Sequence, residues 1–502
     1  MNNEWQQQLQ QHFGYGEFRP GQESIIKRVL AGKSVLGLMA TGGGKSVTYQ
    51  LPALLLPGIT VVVSPLISLM VDQVQQLRTK RKIPAAYLNS TQEAAEAREV
   101  LQKIASGQCK LLYISPEKLQ QPYVQQALKR ATVSLFAIDE AHCISAWGHD
   151  FRTDYLRLPD TVKQLGNPPV LAVTATATTA VREEICSLFG IDRENVVVQT
   201  LNRANIAYDL AEVGGESERR QLTFDLIDQL AGPGIVYCST RQAVEVLVAA
   251  YQLEGKRHVD GYHGGMNSME RMLIQTQFLA GELDVIIATN AFGMGIDKPD
   301  IRYVIHYQLP ASLEAYSQEI GRIGRDGQPG YAMLLYSQDD IHLHQYMLDK
   351  EYPTPAQIQQ FCQLYGAGAP PDPKALASID MSEEMAAMLT FYTERALGKA
   401  QVSTTTEMAN PVQDIWQETE KRKAVKQKKL AEMRSYVLTD RCLRKHLNQY
   451  FGESDLGFTR FCCSRCGLQR ESYEGRQTAL LQREVQNSWN LRQALDMLLP
   501  KK

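Results

Sequence analysis

A chain of 502 residues that is 44% apolar can bury a large core, and its length predicts two or three domains. A formal net charge of −2 is not that of a protein that coats nucleic acid nonspecifically, so any polynucleotide contact has to come from local grooves. The Gln-rich N-terminus carries no charged leader followed by an apolar stretch, and no run is long enough to cross a bilayer. Cytoplasmic residence without membrane contact is therefore expected, at the nucleoid if the source is bacterial.

From about residue 20 to residue 335, short β-branched runs alternate with helical patterns, the signal for parallel sheets with crossover helices. Strands are predicted in order at Val35–Leu38, Thr60–Ser64, Leu111–Ile114, Leu135–Ile138, Leu171–Thr174, Val196–Gln199, Gly234–Cys238, Val285–Thr289 and Tyr303–Tyr307. The alternation lapses between Leu201 and Glu218, which divides the α/β part into lobes at 1–208 and 209–338. Past Gln338 the pattern turns helical, with linker-like breaks at 366–373 and 403–411. It is divided into an insertion or spacer at 339–415, a cysteine-bearing hairpin at 416–470 and terminal helices at 471–502.

The strand Val35–Leu38 leads into Met39-Ala-Thr-Gly-Gly-Gly-Lys-Ser46, and a helical run begins at Val47. Backbone N–H groups at Gly42, Gly43 and Gly44 can converge on an anion at a helix N-terminus. Lys45 supplies a point charge to the β- and γ-phosphates and Ser46 a hydroxyl for Mg²⁺. A surface turn would explain the glycines alone, but not Lys-Ser between strand and helix. Met39 stands at the first glycine position of the usual pattern, which argues for a helicase-type loop. After Leu135–Ile138 come Asp139 and Glu140, at the carboxyl end of a strand where open α/β sheets place ligands. Asp139 fits the Mg²⁺ role and Glu140 the group that orients or deprotonates water; first-turn acids of a helix are the plainer alternative. Upstream, the Gln22 amide can pair with the adenine edge, with Tyr15 and Arg19 beside it, so ATP is the expected nucleotide.

In order along the chain, Phe13–Gln22, the phosphate loop, Ser64–Leu69, Asp139–His142 and Thr174–Ala177 resemble RecQ-family DNA helicases of superfamily 2. Ala141–Arg152 is similar to the family's aromatic-rich loop, which couples single-stranded DNA binding to hydrolysis, although Ala146 and Thr153 replace the usual Gln and Pro. Trp147 and Phe151 offer stacking faces and Arg152 charge. Gly234–Arg241, Tyr262–Met266, Ala288–Lys298 and Gln318–Gly327 resemble the second-lobe motifs. The resemblance implies an α/β fold of two tandem RecA-like lobes and a mainly helical C-terminal region. It makes Arg325 the arginine finger and Arg322 a second phosphate contact, with Ile323 standing where the family usually has Ala. Ser64, Ser239 and Arg241 are candidate DNA phosphate contacts, ordinary strand-end caps being the alternative. The implied activity is an ATP-dependent helicase moving 3′ to 5′ on single-stranded and partly duplex DNA, in repair or recombination. An ATP-regulated nucleic-acid binding or strand-annealing protein, and an RNA helicase, are the rivals.

Lys421, Arg422, Lys423, Lys426, Lys428 and Lys429 form a basic run, either solvated or set against duplex phosphates. Beyond it, Cys442–Glu453 followed by Cys462-Cys-Ser-Arg-Cys466 resembles the family's zinc-binding hairpin. Cys442, Cys463 and Cys466 are then candidate Zn²⁺ ligands. Gln469 occupies the usual place of the last cysteine, so Cys462 or His446 is left as the fourth ligand, with free thiols as the alternative. The further DNA-binding module of longer family members is not expected within these residues.

Overall fold

The computed structural model describes residues 2–145, 153–293, 296–365, 371–402, 411–453 and 462–475. The strands are β1 (Val35–Leu38), β2 (Ile59–Val63), β3 (Ala85–Leu88), β4 (Leu111–Ile114), β5 (Val133–Ile138), β6 (Val170–Thr174), β7 (Val196–Val198), β8 (Ile206–Glu212), β9 (Gly234–Tyr237), β10 (Val259–Tyr262), β11 (Val285–Ala288), β12 (Tyr303–His306) and β13 (Gly330–Tyr336). They build two sheets, ordered β3-β4-β2-β5-β6-β1-β7 and β10-β11-β9-β12-β13-β8, with parallel pairing throughout. Runs such as Ile59–Val63 and Val170–Thr174 are buried at every residue because crossover helices cover both faces.

All nine predicted strands lie on these elements, and four were not legible. Ala85–Leu88 has two alanines, and Val259–Tyr262 contains Asp260 and Gly261, residues with low strand preference. Gly330–Tyr336 is rich in Ala, Met and Leu, which favour helices, yet every residue is buried against β12 and β8. Burial overrides propensity there. Ile206–Glu212 runs through the stretch read as a break and completes the second sheet. That sheet therefore begins at Ile206, ahead of the expected 208/209 division.

Among the described residues, the helical region shares its core with the second sheet. The cluster on one face of the second sheet, with Ile235, Ile286 and Val304, continues through Ile358 and Leu389 to Met433, Phe451 and Cys463. The helix Pro411–Val437 crosses the expected 415/416 division and carries the basic run. Three of these lysines dock the helix on other elements, while Lys421 and Lys428 face solvent. Lys423 pairs with Asp349 at 2.7 Å, Lys426 with Glu351, and Lys429 with Glu314 at 2.7 Å, while Lys421 and Lys428 pair with Glu418 and Glu432 of their own helix. No described helix is long and apolar enough to cross a membrane.

Candidate nucleotide site and cysteine centre

β1 delivers the chain into the phosphate loop, whose Gly42 and Gly44 adopt φ of 80° and 77°, backbone that side chains resist. Met39 is buried in the core beneath the loop, which explains an apolar residue at that position. Ser46 starts the helix Val47–Leu55 without using its hydroxyl as a cap. Arg19 donates to the Gly42 carbonyl. Gln22 departs from its expected role. Its amide nitrogen donates to the Gly44 carbonyl at 2.9 Å, its oxygen accepts from the Arg19 N–H at 2.9 Å, and the residue is 3% exposed. It braces the loop and in this conformation presents no free edge to adenine. Tyr15 is exposed.

Past the end of β5, which β6 separates from β1 in the sheet, Glu140 Oε1 lies 3.3 Å from the Lys45 ammonium. Glu140 sits at φ 47° and ψ 50°, a conformation a non-glycine residue holds only when its surroundings impose it. Its Oε2 is buried without a hydrogen bond, 3.4 Å from His142 Nδ1, which is in turn 2.8 Å from Thr174 Oγ1. Burial and the adjacent Glu140 carboxylate raise the Asp139 pKa to about 6, against the pull of Lys45. A divalent cation would suit the donors offered here, the ionisable buried Asp139 carboxylate and the uncommitted Ser46 hydroxyl.

The second lobe meets this site through the turn after the helix Leu313–Ile320. A Cβ on Gly321 would lie 2.9 Å from Thr41 Cβ, and one on Gly42 would lie 3.1 Å from Arg325 Cγ, so the turn is packed directly on the phosphate loop. Arg325 donates to the Ile296 carbonyl at 2.6 Å and lies 3.2 Å from Asp297, while its Nε is buried without a partner. Burial, reinforced by the charge of Arg322, lowers its pKa to about 10. Arg322, the expected second phosphate contact, is buried and donates to the Gly293 carbonyl. The bulk of Ile323 is absorbed by the second-lobe core.

Of the expected DNA contacts, Ser64 has its hydroxyl buried just past the end of β2 without a hydrogen-bond partner. Ser239 is half-buried with its N–H on Gln308 at 2.8 Å, and Arg241 is exposed. Trp147, Phe151 and Arg152 lie outside the described residues.

The sulfurs of Cys442, Cys462, Cys463 and Cys466 all lie within 4.8 Å of one another, so Cys462, rather than His446, completes the set. Cys442 is 3.5 Å from Cys462 and 3.9 Å from Cys463. Tetrahedral zinc at about 2.3 Å from each sulfur needs separations of about 3.8 Å, so the arrangement fits the ion and is too open for a disulfide.

Three families match consecutive parts of the chain: DEAD/DEAH box helicase at residues 19–185, helicase conserved C-terminal domain at 220–327, and RecQ zinc-binding at 400–468. The "Probable ATP-dependent DNA helicase RecS" of Bacillus subtilis (strain 168) is 41% identical over 472 residues, 93% of either chain. The chain belongs to the RecQ family of superfamily 2 helicases. The "ATP-dependent DNA helicase RecQ" of Pasteurella multocida (strain Pm70) is 43% identical over 69% of this chain, which spans 54% of that relative. Among solved structures, the DUF1998 helicase MrfA bound to DNA shares the fold at a TM-score of 0.55 and 18% identity, covering 68% of this chain and 50% of its own. Mycobacterium smegmatis Lhr bound to ssDNA and AMP-PNP does so at 0.54 and 17%, covering 76% and 56%.

Within this RecQ fold, Arg203 and Asn205, in the stretch where the sequence alternation lapses, bind the backbone of the turn that carries Arg325. Their acceptors are carbonyls, which no sequence pattern marks.

Proposed function

We propose that this chain is an ATP-dependent DNA helicase that hydrolyses ATP in the cleft between its two sheets and moves 3′ to 5′ along one strand of partly duplex DNA, in repair or recombination, at the nucleoid if its source is bacterial. Lys45 neutralises the β- and γ-phosphates, and Glu140, with one oxygen buried and unbonded, orients the attacking water. Ser46 and Asp139 would hold Mg²⁺, which when bound would offset the charge of the phosphates. Arg325 needs only to leave Ile296 and Asp297 to reach a γ-phosphate seated on the loop. Closing the cleft on ATP and reopening it after hydrolysis then moves one lobe against the other, and a strand gripped by both is drawn along.

The observation that supports this reading most is the contact of the Arg325 stem, from one sheet, with Gly42 in the phosphate loop of the other. The test is ATP turnover with single-stranded DNA, RNA or neither, paired with displacement of a labelled strand from 3′-tailed and 5′-tailed duplexes. DNA-stimulated turnover with unwinding from the 3′ tail is expected. Stimulation by RNA alone, unwinding from the 5′ tail, or annealing without turnover would each overturn it.

A further inference from the structure

The segment joining the sheets runs from Val198 at the end of β7 to Ile206 at the start of β8. Midway along it, Arg203 commits every N–H of its guanidinium to the protein. Nε faces Asn205 Oδ1 at 3.4 Å, Nη1 donates to the carbonyls of Thr41 at 3.4 Å and Gly321 at 3.0 Å, and Nη2 donates to those of Ile323 at 2.6 Å and Gly324 at 2.8 Å. Three acceptors belong to the turn bearing Arg322 and Arg325, and one belongs to the phosphate loop. One side chain on the hinge therefore ties both walls of the nucleotide site together.

The hinge is gripped from its other side by the cysteine hairpin. Arg444, buried and stacked 4.8 Å over the Tyr208 ring, donates to the Arg203 carbonyl at 2.7 Å and to Asn202 Oδ1 at 2.9 Å. Glu453 accepts from the Thr200 hydroxyl at 2.8 Å and from the Leu201 N–H. The hinge backbone is thus fixed on both flanks of Arg203.

We infer that Arg203 is a positioning residue for ATP hydrolysis: it holds the turn carrying Arg325 in register with the phosphate loop, and Arg444 and Glu453 of the cysteine hairpin hold Arg203. The inference rests on the reading of the cleft as an ATP site. A planar fork with five donors is the group that can bridge several carbonyls at fixed angles, whereas an ammonium with three donors is a point charge that cannot span them. The bond to Thr41 is among the longest of the set, so it is the link expected to part when the lobes open, leaving Arg203 with the turn.

The test uses the full-length chain carrying Arg203→Lys, Arg444→Gln or Glu453→Gln, and the double variant Arg203→Lys/Arg444→Gln. The readouts are DNA-stimulated kcat, ATP KM, binding of a fluorescent ATP analogue and melting temperature. Misplacing the finger by about 1 Å should lower kcat about 100-fold in Arg203→Lys, with analogue binding and melting unchanged. Arg444→Gln should lower kcat by less, and the double variant should match Arg203→Lys alone, because both act on one contact set. Glu453→Gln, which is isosteric and at the margin, serves if the other variants melt early; loss of one charged hydrogen bond should cost about fivefold in kcat. Unchanged kcat in a well-folded Arg203→Lys overturns the inference, as does unchanged kcat in Glu453→Gln where Arg203→Lys melts early. A wild-type chain without DNA-stimulated turnover would overturn the ATP-site reading along with it, so the two failures are separable.

Discussion

Acidification should disable the nucleotide site through a single carboxyl group. Asp139 ends the buried strand β5, is itself 6% exposed, and has its pKa raised from 3.8 to about 6, first by burial and then by the Glu140 carboxylate, with Lys45 opposing. A displacement of about two units corresponds to about 3 kcal/mol spent on ionising the group in place, at about 1.4 kcal/mol per unit. The carboxylate needed for Mg²⁺ is thus about nine-tenths formed at pH 7 and about one-tenth formed at pH 5. The effect on folding has the opposite sign. The folded protein binds this proton more tightly than the unfolded chain, so the stabilisation it gives is full below about pH 4 and lost as the pH rises through about 6. The assay is the Mg²⁺-dependent enhancement of fluorescent ATP-analogue binding between pH 5 and 8, scored against the same titration in EDTA so that ionisation of the nucleotide cancels. Wild type should lose the enhancement with a midpoint near pH 6. Glu140→Gln should move the midpoint down, because it removes the second cause of the raised pKa, and Asp139→Asn should show no enhancement at any pH. An enhancement flat from pH 8 to 5, or a midpoint that rises in Glu140→Gln, would refute this assignment of Asp139.

The basic helix gives a stability prediction. Lys429 and Glu314 are 9% and 2% exposed at 2.7 Å, so Lys429→Ala removes the counter-charge of a buried carboxylate and should cost about 3–5 kcal/mol in urea unfolding, whereas Lys421→Ala, on a surface pair, should stay within about 0.5 kcal/mol. Similar losses in the two variants would contradict the docking role of the helix. The cysteine centre should carry close to one zinc per chain on metal analysis, and Cys463→Ser should lose the metal together with part of the thermal stability. A metal-free wild type with unaltered melting would contradict it.

The residues legible in the sequence are those whose signal is local. Lys45, Asp139, Glu140 and Arg325 each sit inside a short contiguous motif, and the chemistry of phosphate binding fixes both the residue types and their spacing. The misread residues have partners that are remote or chemically anonymous. The lysines look free because their acids lie far off in sequence, Glu351 at 75 residues from Lys426 and Glu314 at 115 from Lys429. Gln22 looks like an adenine reader because its competing partners are carbonyl and N–H groups of the backbone. Arg203 escapes notice for the same reason. Gly330–Tyr336 becomes a strand through neighbours on either side, β12 and β8, and not through its own propensities.

The most direct measurement of the two-walled cleft is the single-turnover rate of ATP hydrolysis in Arg325→Ala with saturating single-stranded DNA. A finger supplied by the opposite lobe predicts a fall of about 10³-fold or more with ATP-analogue affinity preserved. A rate within about tenfold of wild type would place Arg325 outside the chemistry and leave the cleft as a binding site alone.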